Sequence, residues 1–421
     1  MEYRGDLSEK KINILIYFCI AASVFLPVMQ VFIPSVMYKS TFSFLFILWA
    51  LYSLNNNNYW IKKNLHLHLF AFFILFQILF YELLGFSDIN LINLVPTIFF
   101  IVSAYVGYFY LNLNDQDVDK SVIKITTILV IITSITTIWG LMRYPNAVRS
   151  LTSTSQDKDM QQTLYAMNIS SFDFTYSLVI VLPLLFIMLL TRTKKYYPIW
   201  EKFIVFCISL LFLVVIFNSK FLISYILLGM SFLVSLFSVI RNTFFSAILI
   251  TISSILILFI SPTLIVFMLD IISNNTDSLL IINKIATVKQ IIESGYNLSL
   301  IGSRYDYFLL SFSSFVDSPI FGVGAYYKDE YTLIGGHSQL MDDLARYGIV
   351  GFVLYMGLMI GFIRNNINKL RHYKIKNAMF YSYVIFFLLN FLNPARSFIF
   401  SLLFFILIPA LGRYVDKKFH Y

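Results

Sequence analysis

The chain has 421 residues, of which 59% are hydrophobic and only 13% charged, and its formal net charge is +9. An ordinary soluble protein carries about 45–50% apolar and about 25% charged residues, so this composition cannot supply a water-facing surface. The expected fold class is an all-α polytopic membrane protein, with 1–421 forming a single transmembrane domain of about twelve transmembrane helices.

The segment from Met1 to Lys11 mixes Glu2, Asp6 and Glu9 with its cations, and no small-residue cleavage site follows the first apolar run. That run therefore reads as a retained span and not as a cleaved signal peptide. A helix needs about 20 apolar residues to cross a hydrocarbon core of about 30 Å. Runs of that kind fall at 12–34, 36–54, 65–85, 91–111, 121–142, 172–190, 203–217, 220–240, 244–268, 349–363, 378–392 and 398–412. Both cysteines, Cys19 and Cys207, lie inside such runs, which leaves neither a disulfide framework nor a thiolate metal site outside the membrane.

With both termini cytoplasmic, the inner connections hold 20 of the 31 Lys and Arg residues, concentrated in short loops such as Arg364 to Lys376. The positive-inside rule favours that orientation. It also accounts for the basic net charge without a nucleic-acid partner. Acidic residues show the reverse balance, 14 outside against 8 inside.

Two outer segments are too long to be turns: 143–171 and the large, partly helical extracytoplasmic loop 270–348. In the second, Ile281, Ile285, Val288 and Ile292 recur at helical spacing and predict an amphipathic helix. Ser303 caps a second predicted helix bearing Arg304, Tyr305, Phe308, Phe312 and Phe315, which breaks at Asp317-Ser318-Pro319. Gly322 and Gly324 follow in a stretch whose glycines admit backbone geometry closed to other residues, as a loop approaching a ligand requires. Gly335-Gly336-His337-Ser338 then leads into a short helix ended by Gly348, where the next apolar run begins.

Several outer residues could carry chemistry. Lys220 and Arg396 stand beside apolar runs, where a cation either snorkels to the head groups or meets an anionic partner. His337 is the sole outer imidazole away from a terminus; near a helix N-terminus it is either a base-competent neutral ring or a capping side chain. Asp343 and Arg346, three residues apart, read as a surface ion pair. Asp157, Asp159 and the inner Asp115, Asp117 and Asp119 lack the residues of a calcium loop and read as solvated acids, so neither metal nor cofactor is expected. Sequons at Asn168, Asn274 and Asn297 all fall on the outer side of this topology.

Taken in order, Arg304, Asp317-Ser318-Pro319-Ile320-Phe321-Gly322-Val323-Gly324, His337-Ser338-Gln339-Leu340 and Tyr347-Gly348-Ile349-Val350-Gly351 resemble the O-antigen polymerase and ligase superfamily, the Wzy-type polysaccharide polymerases most closely. The resemblance implies a glycosyltransferase of capsule or other cell-envelope polysaccharide in a bacterial plasma (inner) membrane, with its active site extracytoplasmic. His337 would be the catalytic residue, and Arg304, Lys220, Arg149 and Arg396 would hold the pyrophosphate of a polyprenyl-pyrophosphate-linked glycan. Pro319, Gly322 and Gly324 would set the loop geometry. Relatives often have Ser-Arg where this chain has Ser219-Lys220, which exchanges a bidentate fork for a point charge. Membrane lipids, a flippase and a chain-length regulator are the partners implied. Two alternatives stand beside the polymerase: a ligase moving the finished glycan to another acceptor, and a lipid-linked oligosaccharide flippase or transporter.

Overall fold

In a computed structural model, the structure describes residues 7–32, 44–45, 47–48, 51, 65–83, 91–113, 116–151, 158–190, 198–237, 266, 269–270, 273–274, 279–293, 303–324, 333–394 and 397–418. The expected spans 36–54 and 244–268 lie outside the described residues except at isolated positions. Among the described residues every regular element is helical and none is a strand.

The helices, in chain order, begin with α1 (Leu7–Phe25), α2 (Met29–Phe32), α3 (Leu65–Leu83), α4 (Leu91–Leu113), α5 (Gln116–Arg143), α6 (Ala147–Ser150), α7 (Lys158–Ala166) and α8 (Phe172–Leu190). After them come α9 (Ile199–Ser219), α10 (Leu222–Phe237), α11 (Leu279–Glu293), α12 (Ser303–Asp317), α13 (Gln339–Lys369) and α14 (Tyr373–Leu392). The last helix is α15 (Phe398–Leu402), which passes through one π-turn at Leu403–Leu407 into α16 (Ile408–Lys418). Six described helices are long and apolar enough to cross a membrane: those ending at Arg143, Leu190, Ser219, Lys369, Leu392 and Lys418.

α8 lies at the centre of the bundle, against α9, α10 and α14, and with the last helix it is the most enclosed of the six. α3 and α4 border α13 and the π-turn, and α1 lies along α5. Several interior hydroxyls are satisfied within their own helices. Ser103, Ser209, Ser231 and Ser235 each donate to the carbonyl one turn back, as a segment with no water to bond must do. Pro96 and Pro183 sit inside α4 and α8.

The outward faces are apolar. On α3 Phe72, Leu75 and Leu79 are exposed, on α5 Ile128, Ile132, Ile135 and Trp139, and on α9 Phe203, Ile204, Phe206 and Leu210. These positions follow one stripe per helix, where a soluble bundle would carry charges. The two cysteines lie on this exposed surface. The ring of Trp139 carries the Arg143 guanidinium 3.9 Å from its centroid at the end of α5, a pairing suited to a head-group boundary.

Segment 143–171 contains a small packed core of its own. Leu141, Ala147, Val148, Leu151, Leu164 and Ile169 are buried together. Asn168 is buried with them: its carbonyl oxygen accepts the Val28 N–H at 3.2 Å and its amide donates to Thr136 Oγ1 at 3.0 Å. That sequon is therefore a structural clasp joining the turn after α7 to the turn after α1 and to α5, and not an open acceptor for a glycan. Of the other two, Asn274 is exposed and Asn297 lies outside the described residues.

Candidate functional site

α13 consists of two helices. Gly348, at φ 59 and ψ −172, breaks it, so a short helix 339–347 precedes the long apolar 349–369. The break is held by the turn after α12. Val323 and Gly324 donate to the carbonyls of Ala345 and Arg346, and Ile349 and Val350 donate to those of Pro319 and Ile320. Gln77 of α3 donates to the Phe321 and Arg346 carbonyls at 2.7 and 2.6 Å, and the Tyr81 hydroxyl donates to that of Gly322. Gly322 and Gly324 have φ of 75 and 71. Gly322 makes a close approach, but to the chain's own backbone at Arg346 and Gly348 and not to open space for a ligand.

His337 stands two residues before the short helix, after Gly336 at φ 72. Its ring lies against Tyr307 of α12, centroids 4.7 Å apart. The turn that carries it is pinned from below: the Gly335 N–H donates to Ser311 Oγ at 2.9 Å, and Ser311 donates to Asp342 Oδ1 at 2.7 Å. The Gly336 N–H reaches the same carboxylate oxygen at 3.3 Å. Gly335 has no room for a side chain, since an added Cβ would sit 2.0 Å from the Tyr307 oxygen.

Asp342, Asp343 and Arg346 are all buried, so the expected surface ion pair is an internal one. Arg346 Nη1 lies 3.5 Å from Asp343 Oδ1, and Gln339 Nε2 donates to that same oxygen at 2.8 Å. The sequence suggested a surface pair because Asp343 and Arg346 stand three residues apart on helix 339–347, a spacing at which exposed helix charges commonly pair. The packing of α12 and α14 against it removes the water. Gln339, Asp343 and Tyr347 also line a small cavity shared with Thr97 and Ser401.

The Lys220 turn is linked to this region through three contacts. Lys220 caps α9 in the left-handed conformation at φ 55, which is uncommon without glycine. Phe221 packs against Tyr176 of α8 with the rings tilted by 41°, centroids 5.8 Å apart. The Tyr176 hydroxyl accepts from Asn393 Nδ2 at 3.1 Å, and the Asn393 carbonyl accepts the Gln339 N–H at 3.4 Å. The Lys220 turn, the Asn393 turn and the His337 turn thus meet at one end of the bundle. Asp173, one turn before Tyr176, lies against Ser397 at the start of α15.

Of the other predicted residues, Arg304 is the second residue of α12, one turn before Tyr307, and Arg149 belongs to α6. The side chains of both, and Arg396 as a whole, lie outside the described residues. Tyr307, Ser311 and Tyr176 were not singled out from the sequence; each is marked only by its contact with a distant segment. Compared with models of known protein families the chain matches none, and compared with curated proteins it matches none.

Proposed function

We propose that this protein is a membrane polysaccharide polymerase. It would transfer a growing glycan from polyprenyl pyrophosphate to the next lipid-linked repeat unit, using about twelve spans to hold the lipid tails. Residues 270–348 would form the outer catalytic loop. His337 takes the proton of the acceptor hydroxyl as that oxygen bonds to the donor's anomeric carbon. The bond from that carbon to the pyrophosphate oxygen breaks, and polyprenyl pyrophosphate leaves. Lys220, Arg304, Arg149 and Arg396 would offset the charge that builds on the leaving group.

The observation that carries this reading is the meeting of three turns at one end of the bundle: the His337 turn, the Lys220 turn and the Asn393 turn that leads to Arg396. A carrier would place its charges near mid-membrane in broken helices. Here the buried pairs Asp343–Arg346 and Asp119–Arg413 sit near helix ends, which favours an enzyme.

The test is a glycan ladder from a deletion strain complemented with native or His337→Ala protein at equal membrane levels. The variant is expected to yield single repeat units only. A normal ladder would refute the assignment, and lipid-linked long chains accumulating in the deletion strain itself would favour the ligase.

A further inference from the structure

The inner face of α12 carries two serines beside the partly buried Phe315, and its outer side carries an apolar stripe. Ser311 and Ser314 are buried, donating to Asp342 and to the Leu333 carbonyl. Leu309, Phe312 and Val316, at i, i+3 and i+7, are exposed, and Ile320 in the following turn continues the stripe. A helix resting on a protein in water has the opposite arrangement. Along one edge of the stripe run Asp306, Ser313 and Asp317, all exposed.

The stripe is also continuous with surface that belongs to spans. Ile320 is hydrogen-bonded through its carbonyl to Val350, and Ile349, Val350 and Val353 at the start of the apolar helix 349–369 are exposed beside it. Phe321 stacks on Phe76 and Phe80 of α3, 5.7 and 6.0 Å between centroids, and Phe76 lies on the outward face of α3 near Leu75 and Leu79.

We propose that α12 is an interfacial helix sunk into the leaflet on the His337 side, with Leu309, Phe312, Val316 and Ile320 covered by the acyl chains of the bilayer. Asp306, Ser313 and Asp317 then face the head groups, as the polar edge of an in-plane helix does. The proposal depends on the chain spanning a membrane and not on the reaction it performs. Its consequence is positional: Tyr307 and Ser311, on the protein side of this helix, hold the His337 turn at head-group depth, where the phosphates of any lipid-linked ligand lie.

The experiment uses full-length protein with Cys19 and Cys207 replaced by serine and a single cysteine at Leu309, Phe312, Val316, Asp306 or Val353. Each is labelled with a small fluorophore and reconstituted in phosphatidylcholine–phosphatidylglycerol vesicles, with or without brominated acyl chains. Unchanged thermal transitions identify the variants to be compared. Labels at Phe312 and Val316 are expected to be quenched by the brominated chains as strongly as one at Val353. They should also be severalfold less sensitive to aqueous iodide than one at Asp306. Quenching of the stripe by iodide instead of bromine would overturn the proposal, and so would protection from both quenchers with cross-linking between copies.

Discussion

A methyl group on Gly322 would sit 2.2 Å from the Arg346 carbonyl oxygen, and one on Gly348 would sit 2.4 Å from that of Ile320. Both neighbours are backbone, so neither can turn aside, and both glycines also have positive φ. Gly336 shares the positive φ but has nothing within 4 Å of its missing Cβ. Gly336→Ala is therefore expected to lower stability only by the left-handed backbone cost of about 1–2 kcal/mol. Gly322→Ala and Gly348→Ala should cost clearly more, read as larger drops in the thermal transition of detergent-solubilised protein; equal drops at all three positions would contradict the backbone-contact account. The need for special backbone at Gly322, Gly324 and Gly348 was legible from sequence, because glycine in a short loop has few other uses. What the glycines approach was not, since the contact joins the turn after α12 to a break inside α13.

At the scale of elements, most of the apolar runs among the described residues coincide with helices because a span must satisfy its own backbone and be about 20 residues long. The expected span 12–34, however, is divided at Leu26–Val28, where α1 ends at Phe25 and α2 begins at Met29. The ends of the helices were less legible. α5 begins at Gln116, α9 at Ile199 and α14 at Tyr373, and the helix after Gly348 continues to Lys369. Hydropathy stops at the first charges, but backbone hydrogen bonding does not. Some of those terminal charges pair between elements: Arg413 of α16 makes two bonds to Asp119 of α5, at 3.0 and 2.7 Å, with both side chains almost fully buried. Removing one partner of a buried pair leaves an uncompensated charge and costs about 3–5 kcal/mol. Arg413→Ala and Asp119→Ala should each destabilise the protein by that order, and Arg413→Met with Asp119→Leu should recover most of the loss. Thermal denaturation of the three variants decides the point; a double variant no better than the singles would mean that packing, not charge, is what the pair supplies.

Across the whole molecule two groups of described polar contacts lie at opposite ends of the helices. One end holds Asp119–Arg413, Glu201–Lys418, and Asp416 accepting the backbone N–H groups of Arg371 and His372. The other holds the turns around His337, Lys220 and Asn393. The positive-inside rule would place the first end in the cytoplasm. A fluorescent protein fused to the C-terminus should accordingly fluoresce, and Lys220→Cys should react with a membrane-impermeant maleimide in intact cells; the reverse pattern would invert the topology. The sequence by itself determined that this chain is helical and apolar on its outside, because span length, hydropathy and charge placement are local properties of short stretches. Only the tertiary structure decided how Tyr176 meets Asn393, 217 residues away, how Asp342 is buried beneath His337, and that α12 turns Ser311 and Ser314 inward. Contacts between distant segments leave no periodicity in either one. A buried acid or an outward-facing phenylalanine can be recognised as such only when the neighbouring helix is in place.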